Sequence, residues 1–97
     1  MNIYIALSNK YRIILTNWVK INLFYLGSSK KHEIFRIRKW TTKYESILKK
    51  AIFSEAYDKI GKIEDIFGPI TNPFISVKLT PDKHRDFELE QNFYVKI

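Results

Sequence analysis

Between Lys59 and Leu79 the chain reads KIGKIEDIFGPITNPFISVKL, two apolar runs separated by a stretch that no regular element crosses. Ile60, Ile63, Ile66 and Phe67 supply the apolar positions of the first run, and Phe74 to Leu79 alternate in the second. Between them, Gly68 accepts positive φ, Pro69 fixes φ and donates no N–H, and Pro73 turns Asn72 away from the helical region. The pattern predicts strand, loop, strand. A connection that only had to reverse the chain would use Asn-Gly or Asp-Gly. This one holds two prolines and Ile70, with Phe67 and Phe74 at its edges. Such a stiff apolar loop either presents a fixed surface to a partner or caps the molecule's own core. Gly61, inside the first run, marks a bulge or a close backbone approach of the kind that bends a strand toward closure.

Charge is the second constraint, because it is concentrated. The chain carries a net +7, and residues 20–50 alone hold nine cations against two anions, leaving the remainder neutral. Within that block Ile34, Arg36, Arg38 and Trp40 share one face of an extended segment while Phe35, Ile37 and Lys39 share the other. Arginines bind phosphate bidentately and stack on bases, and an indole offers a stacking face. Lys30, Lys31, Arg36, Arg38, Lys39, Trp40, Lys43, Lys49 and Lys50 are therefore the candidate RNA contacts. A solvated strand face, kept soluble by its charges, is the competing reading.

The other segments fill in around these two. Ile3 to Leu7 and Tyr11 to Leu15 predict a short hairpin, and Trp18 to Leu26 a strand ended by Gly27-Ser28-Ser29, with Trp18 in the core. Thr42 and Glu45 have capping-box spacing, and Tyr44, Ile47, Leu48 and Ala51 fall on one helical face. That predicts a short helix from Lys43 to Lys50, followed by a brief strand at Ala51 to Phe53 and a turn at Ser54 to Asp58. Phe87, Leu89, Phe93 and Val95 predict a last strand interrupted near Gln91-Asn92.

Gly61-Lys62-Ile63, Asp65 to Pro69 and Asn72 to Lys78 together resemble the signature of the Gar/Naf family, the small split β-barrels of box H/ACA ribonucleoproteins. Arg12 to Val19 is a fainter echo of that family's early strand. The resemblance implies a non-catalytic subunit that docks on the H/ACA pseudouridine synthase and helps guide-RNA-directed rRNA modification turn over. It makes Phe67, Gly68, Pro69, Pro73, Phe74, Ile75 and Val77 the candidate protein-binding residues. No Gly/Arg-rich tail is present, so the likeness is to the compact archaeal form. In compact relatives the Trp-bearing strand runs to the signature by a short connection, whereas here Trp18 and Phe67 are separated by the whole basic block. The expected architecture is thus a single all-β domain over residues 1–97, a split β-barrel of six or seven strands. The basic block, at about 20–50, is read as an insertion carrying one short helix. A barrel of the same descent acting as a structural ribosomal protein, bound directly to rRNA through that block, is the alternative.

Several classes of function find no support. Glu64 and Asp65 are adjacent on a predicted strand and point to opposite faces, so they form no acid/base pair. His32 and His84 are solitary and the chain has no cysteine, which argues against a zinc site and against a disulfide framework. Three glycines do not make a phosphate-cradling loop. No cofactor, metal, catalytic residue or small-molecule substrate is expected. No basic lead followed by a long apolar run occurs, and no apolar stretch is long enough to span a bilayer, which predicts a soluble cytoplasmic protein without membrane contact.

Overall fold

The computed structural model describes residues 18–81 and 86–97. The hairpin expected over Ile3 to Leu15, most of the fainter echo before Trp18, and His84 lie outside the described residues. Six antiparallel strands follow in order: β1 (Trp18–Ser29), β2 (His32–Ile37), β3 (Ala51–Phe53), β4 (Lys59–Phe67), β5 (Phe74–Leu79) and β6 (Glu90–Lys96). They close into a barrel in the order β1-β2-β5-β4-β3-β6. Among the described residues every strand pairs with two neighbours, so none is an edge strand.

Strand period explains the inside of the barrel. Ile21 and Leu23, Phe35 and Ile37, Ile75 and Val77, and Phe93 and Val95 are spaced by two along their strands, and all eight are buried. At Gly61 β4 and β5 approach closely: a Cβ there would run into the Lys78 carbonyl oxygen and stand 3.0 Å from the Leu79 Cα. This glycine serves the close approach, and a bulge adjoins it. Bulges occur nearby, between Ile63 and Asp65 on β4 and opposite Ile52–Phe53 of β3. One acid is taken inside. Glu33 is fully buried, and the Tyr25 hydroxyl donates to its Oε1 at 2.6 Å while the Ser28 hydroxyl lies 2.9 and 3.0 Å from its two oxygens.

Four local expectations are corrected. Gly27 does not end β1. It sits at a bulge after Tyr25, and the strand runs on to a two-residue turn formed by Lys30 and Lys31. The helix expected from Lys43 to Lys50 is a single 3-10 turn, Thr42–Tyr44, in which Thr41 is the N-cap and makes no side-chain cap bond. The reason lies in backbone competition: Lys49 N–H donates to the Ile63 carbonyl and Ile63 N–H to the Lys50 carbonyl, so β4 takes the groups a helix would have used. Tyr44 and Ile47 still reach the core from this irregular connection. β6 runs unbroken through Gln91-Asn92, where the Asn22 side-chain amide donates to the Asn92 Oδ1 at 3.0 Å. Trp18 is half-buried outside the core, on the outer face of β1.

The basic block is also placed differently from a separate insertion. Residues 20–50 supply most of β1 and all of β2, with Lys20 and Arg36 on those strands and the other cations of the block on the turn and connection beside them.

Candidate functional site

The residues outward of the core share a pattern that follows from register. Glu90 of β6 stands opposite Phe24 of β1, Phe24 opposite Arg36 of β2, Arg36 opposite Phe74 of β5, and Phe74 opposite Phe67 of β4. Directly opposed residues in an antiparallel ladder share a face with Cβ atoms about 4.5–5.5 Å apart. One transverse row therefore crosses five of the six strands. Its members touch: the Arg36 guanidinium lies 4.9 Å from the centroid of the Phe74 ring, and the Phe74 and Phe67 centroids are 5.5 Å apart. Arg38 lies over the Phe24 ring at 5.5 Å and pairs with Glu90 at 3.2 Å.

At its β4–β5 end the row opens into a groove. The loop 68–73 is held in place by β2 and the residues just after it. Ile37 N–H donates to the Pro73 carbonyl at 2.9 Å, Trp40 N–H to the Thr71 carbonyl at 3.1 Å, and the Arg36 Nε to the Asn72 carbonyl at 3.4 Å. Gly68 takes φ 93°, and a Cβ at this position would stand 2.6 Å from Cδ2 of the Phe74 ring. So held, Trp40, Ile66, Phe67, Gly68, Pro69, Ile70 and Pro73 line a concave apolar site of about 230 Å³. Ile70 is 84% exposed at its rim and Phe67 43%. An apolar residue that exposed on a loop pinned by three hydrogen bonds is not capping the core, which separates the two readings of this loop.

The candidate protein-binding residues divide accordingly. Phe67, Gly68 and Pro69 are exposed and Phe74 is half-buried, all on the groove or its row. Ile75 and Val77 are core residues, fully buried because strand period turns them inward, and Pro73 is buried beneath the loop. Ile75 and Val77 shape the site from behind and present no side chain to a partner, whereas Pro73, though buried, still lines the groove. Three apolar residues of the site are not among the contacts expected from sequence, Phe24, Ile66 and Ile70. Phe24 could have been found by period: Lys20 and Asn22 lie on the outward face of β1, and an apolar residue continuing that face is out of place.

The cations do not gather on one surface. Lys30 and Lys31 form the β1–β2 turn, both with left-handed backbone, φ 49° and 72°. Arg36 and Arg38 lie over aromatic rings on the row. Lys39 and Trp40 lie beyond the end of β2, so the face-sharing expected for a longer strand stops at Ile37, and Trp40 serves as a groove wall packed edge-on against Tyr44 at 5.8 Å. Lys43 sits beside the Tyr44 ring, and Lys50 is exposed just before β3. Lys49 pairs with Glu64 at 3.2 Å. That hydrogen bond, helped by Lys62 and Lys78, holds the Glu64 carboxyl below its ordinary range against a smaller opposing effect of burial.

The family model described as the Gar1/Naf1 RNA binding region matches residues 37–97. The chain belongs to this family. The match takes in β3 to β6 and the connection leading to them, while β1 and all of β2 but its last residue precede it. No curated protein matches the chain. As a Gar1/Naf1 barrel it is an RNA-binding protein, and the stretch from Lys59 to Leu79 that carries the resemblance is the β4-loop-β5 unit that builds the groove.

Proposed function

We propose that this protein is a non-catalytic subunit of a box H/ACA ribonucleoprotein, docking through the Phe67–Pro73 groove on the pseudouridine synthase so that guide-RNA-directed rRNA modification turns over. The observation that carries the reading is the groove: a rigid, apolar, concave surface with Ile70 projecting from its rim and an aromatic–arginine row leading away from it. A pinned loop loses little conformational freedom on binding, which favours a lasting protein contact. Phe67, Ile70, Phe74 and Trp40 are the anchors, and Arg36 fixes both the Phe74 ring and the loop. Direct attachment to rRNA through one basic arm has less support, because the cations of residues 20–50 are spread over a hairpin turn, the row and the β2–β3 connection.

The test is a pull-down of the synthase by Ile70→Asp. Ile70 makes little contact with its own fold, so the variant should unfold like the wild type. Placing a carboxylate in an apolar interface should weaken synthase binding by roughly 30-fold or more. Undiminished capture of the synthase would refute docking through this groove.

A further inference from the structure

The wall opposite the groove carries a second pattern that the synthase-docking reading does not use. On the outer faces of β1, β6 and β3, Trp18 packs edge-on against Phe53 at 4.9 Å, Tyr57 at 5.2 Å and Tyr94 at 6.4 Å. Tyr57 stacks on Tyr94 with centroids 4.7 Å apart and planes inclined by 18°. Each ring borne by a strand faces a lysine across the ladder: Trp18 faces Lys96, Tyr94 faces Lys20 and Phe53 faces Lys59. The line of cations continues along β4 and β5, where Lys62 and Lys78 stand directly opposite each other. Like charges so placed repel, and none of these five lysines forms an ion pair with a described residue.

Tyr57 is held in this cluster at a conformational cost. Its φ of 64° is left-handed, which a bulky side chain rarely adopts. The turn around it is closed by Ser54: Tyr57 N–H donates to the Ser54 carbonyl at 2.8 Å, Ser54 N–H to the Asp58 carbonyl at 2.9 Å, and the Ser54 hydroxyl accepts from the N–H groups of Ala56 and Asp58. The result is a ring kept parallel to Tyr94 and still 53% exposed.

We infer that this wall binds single-stranded RNA, with bases stacking on Tyr57 and its neighbouring rings and phosphates held by Lys20, Lys59, Lys96 and the Lys62–Lys78 pair. Planar faces interleaved with exposed ammonium groups match a ligand that is itself planar π systems strung on an anionic backbone. Duplex RNA buries its base faces and would engage only the lysines. An apolar protein surface would leave those lysines desolvated and unpaired. The inference deepens the RNA-binding assignment by naming the wall: its rings lie across the barrel from the groove, and its Lys62–Lys78 pair lies at the other end of the β4–β5 ladder from Phe67 and Phe74.

The test uses the full chain with a short fluorescein-labelled oligouridylate, read by anisotropy. Tyr57→Gly removes the ring while glycine accepts the left-handed backbone, and Tyr57→Phe keeps the ring without its hydroxyl. Tyr57→Gly should bind roughly tenfold more weakly, Tyr57→Phe as the wild type, and Lys20→Gln should flatten the salt dependence. The groove variant Ile70→Asp should bind the oligouridylate normally, and Tyr57→Gly should still capture the synthase, so each reading fails by its own assay. Unchanged affinity in Tyr57→Gly, equal loss in Tyr57→Phe, equal affinity for a duplex, or equal loss in Ile70→Asp would each overturn the inference.

Discussion

Replacing Gly68 by alanine puts a methyl group where the backbone and a ring both resist it. The φ of 93° is unfavourable for any residue with a Cβ, by about 1–2 kcal/mol. The new Cβ would stand 2.6 Å from Cδ2 and 3.0 Å from Cε2 of Phe74, so the ring must swing aside. Swinging it separates Phe74 from the Arg36 guanidinium at 4.9 Å, a contact worth about 0.5–1 kcal/mol, and from the Phe67 ring at 5.5 Å, worth about 0.5–1.5 kcal/mol. Alanine also restricts the unfolded chain, which returns about 0.4–1 kcal/mol. The expected net loss is about 2–3 kcal/mol, read in urea as a midpoint lower by roughly 1–2 M. A double-mutant cycle tells the two causes apart. With Phe74→Leu the ring contacts are already gone, so Gly68→Ala should then cost only its backbone share, about 1 kcal/mol. Two substitutions whose effects add to within about 0.5 kcal/mol would refute the steric account.

Two further perturbations probe the cations. Lys30→Asn with Lys31→Gly supplies the pair that a left-handed two-residue hairpin turn favours, and should stabilise the protein by about 1 kcal/mol in thermal or urea unfolding. If those lysines hold RNA, the same variant should bind it more weakly at low salt while unfolding later, a combination that a purely structural turn would not produce. For Glu64, the Lys49 hydrogen bond lowers the carboxyl's pKa from its ordinary 4.5, so the pair's contribution to stability is present above about 4.5 and is lost as pH falls through the lowered value. Carboxyl chemical shifts should follow that titration, and Lys49→Ala should move it upward, with Lys62 and Lys78 left to hold part of the effect. No upward movement would mean that the ammonium is not the main cause.

β4 and β5 were readable because their apolar positions and breakers agree: Gly68, Pro69 and Pro73 stand where the chain leaves one strand and enters the next. Ala51 to Phe53 was readable for the same local reason. The groove's rim followed from those breakers, but its far wall did not, because Trp40 reaches the loop only through the pairing of β2 with β5. That pairing joins residues such as Arg36 and Phe74, distant in sequence, and no local pattern announces it. The helix is not legible because the spacing of Tyr44 and Ile47 suits a helical face and an irregular segment dropping two side chains into a core equally well. Size alone puts Trp18 in the core; the outward period it shares with Lys20 and Asn22 is the better guide.

The position of β6 has a consequence for how the molecule is made. It lies between β1 and β3, pairing Trp18 with Lys96 and Ile52 with Val95, so the ring is completed by a segment synthesised after every other strand. Until residues 90–96 have left the ribosome, β1 and β3 lack the pairing that β6 gives them, and the backbone groups it engages are open to another nascent chain. Folding is then governed by a late, long-range closure rather than by its early hairpin, which makes it slow for a chain of this size. A binding partner that engaged the β4–β5 groove first would leave that closure free to finish, since the groove lies on the far side of the ring from β6.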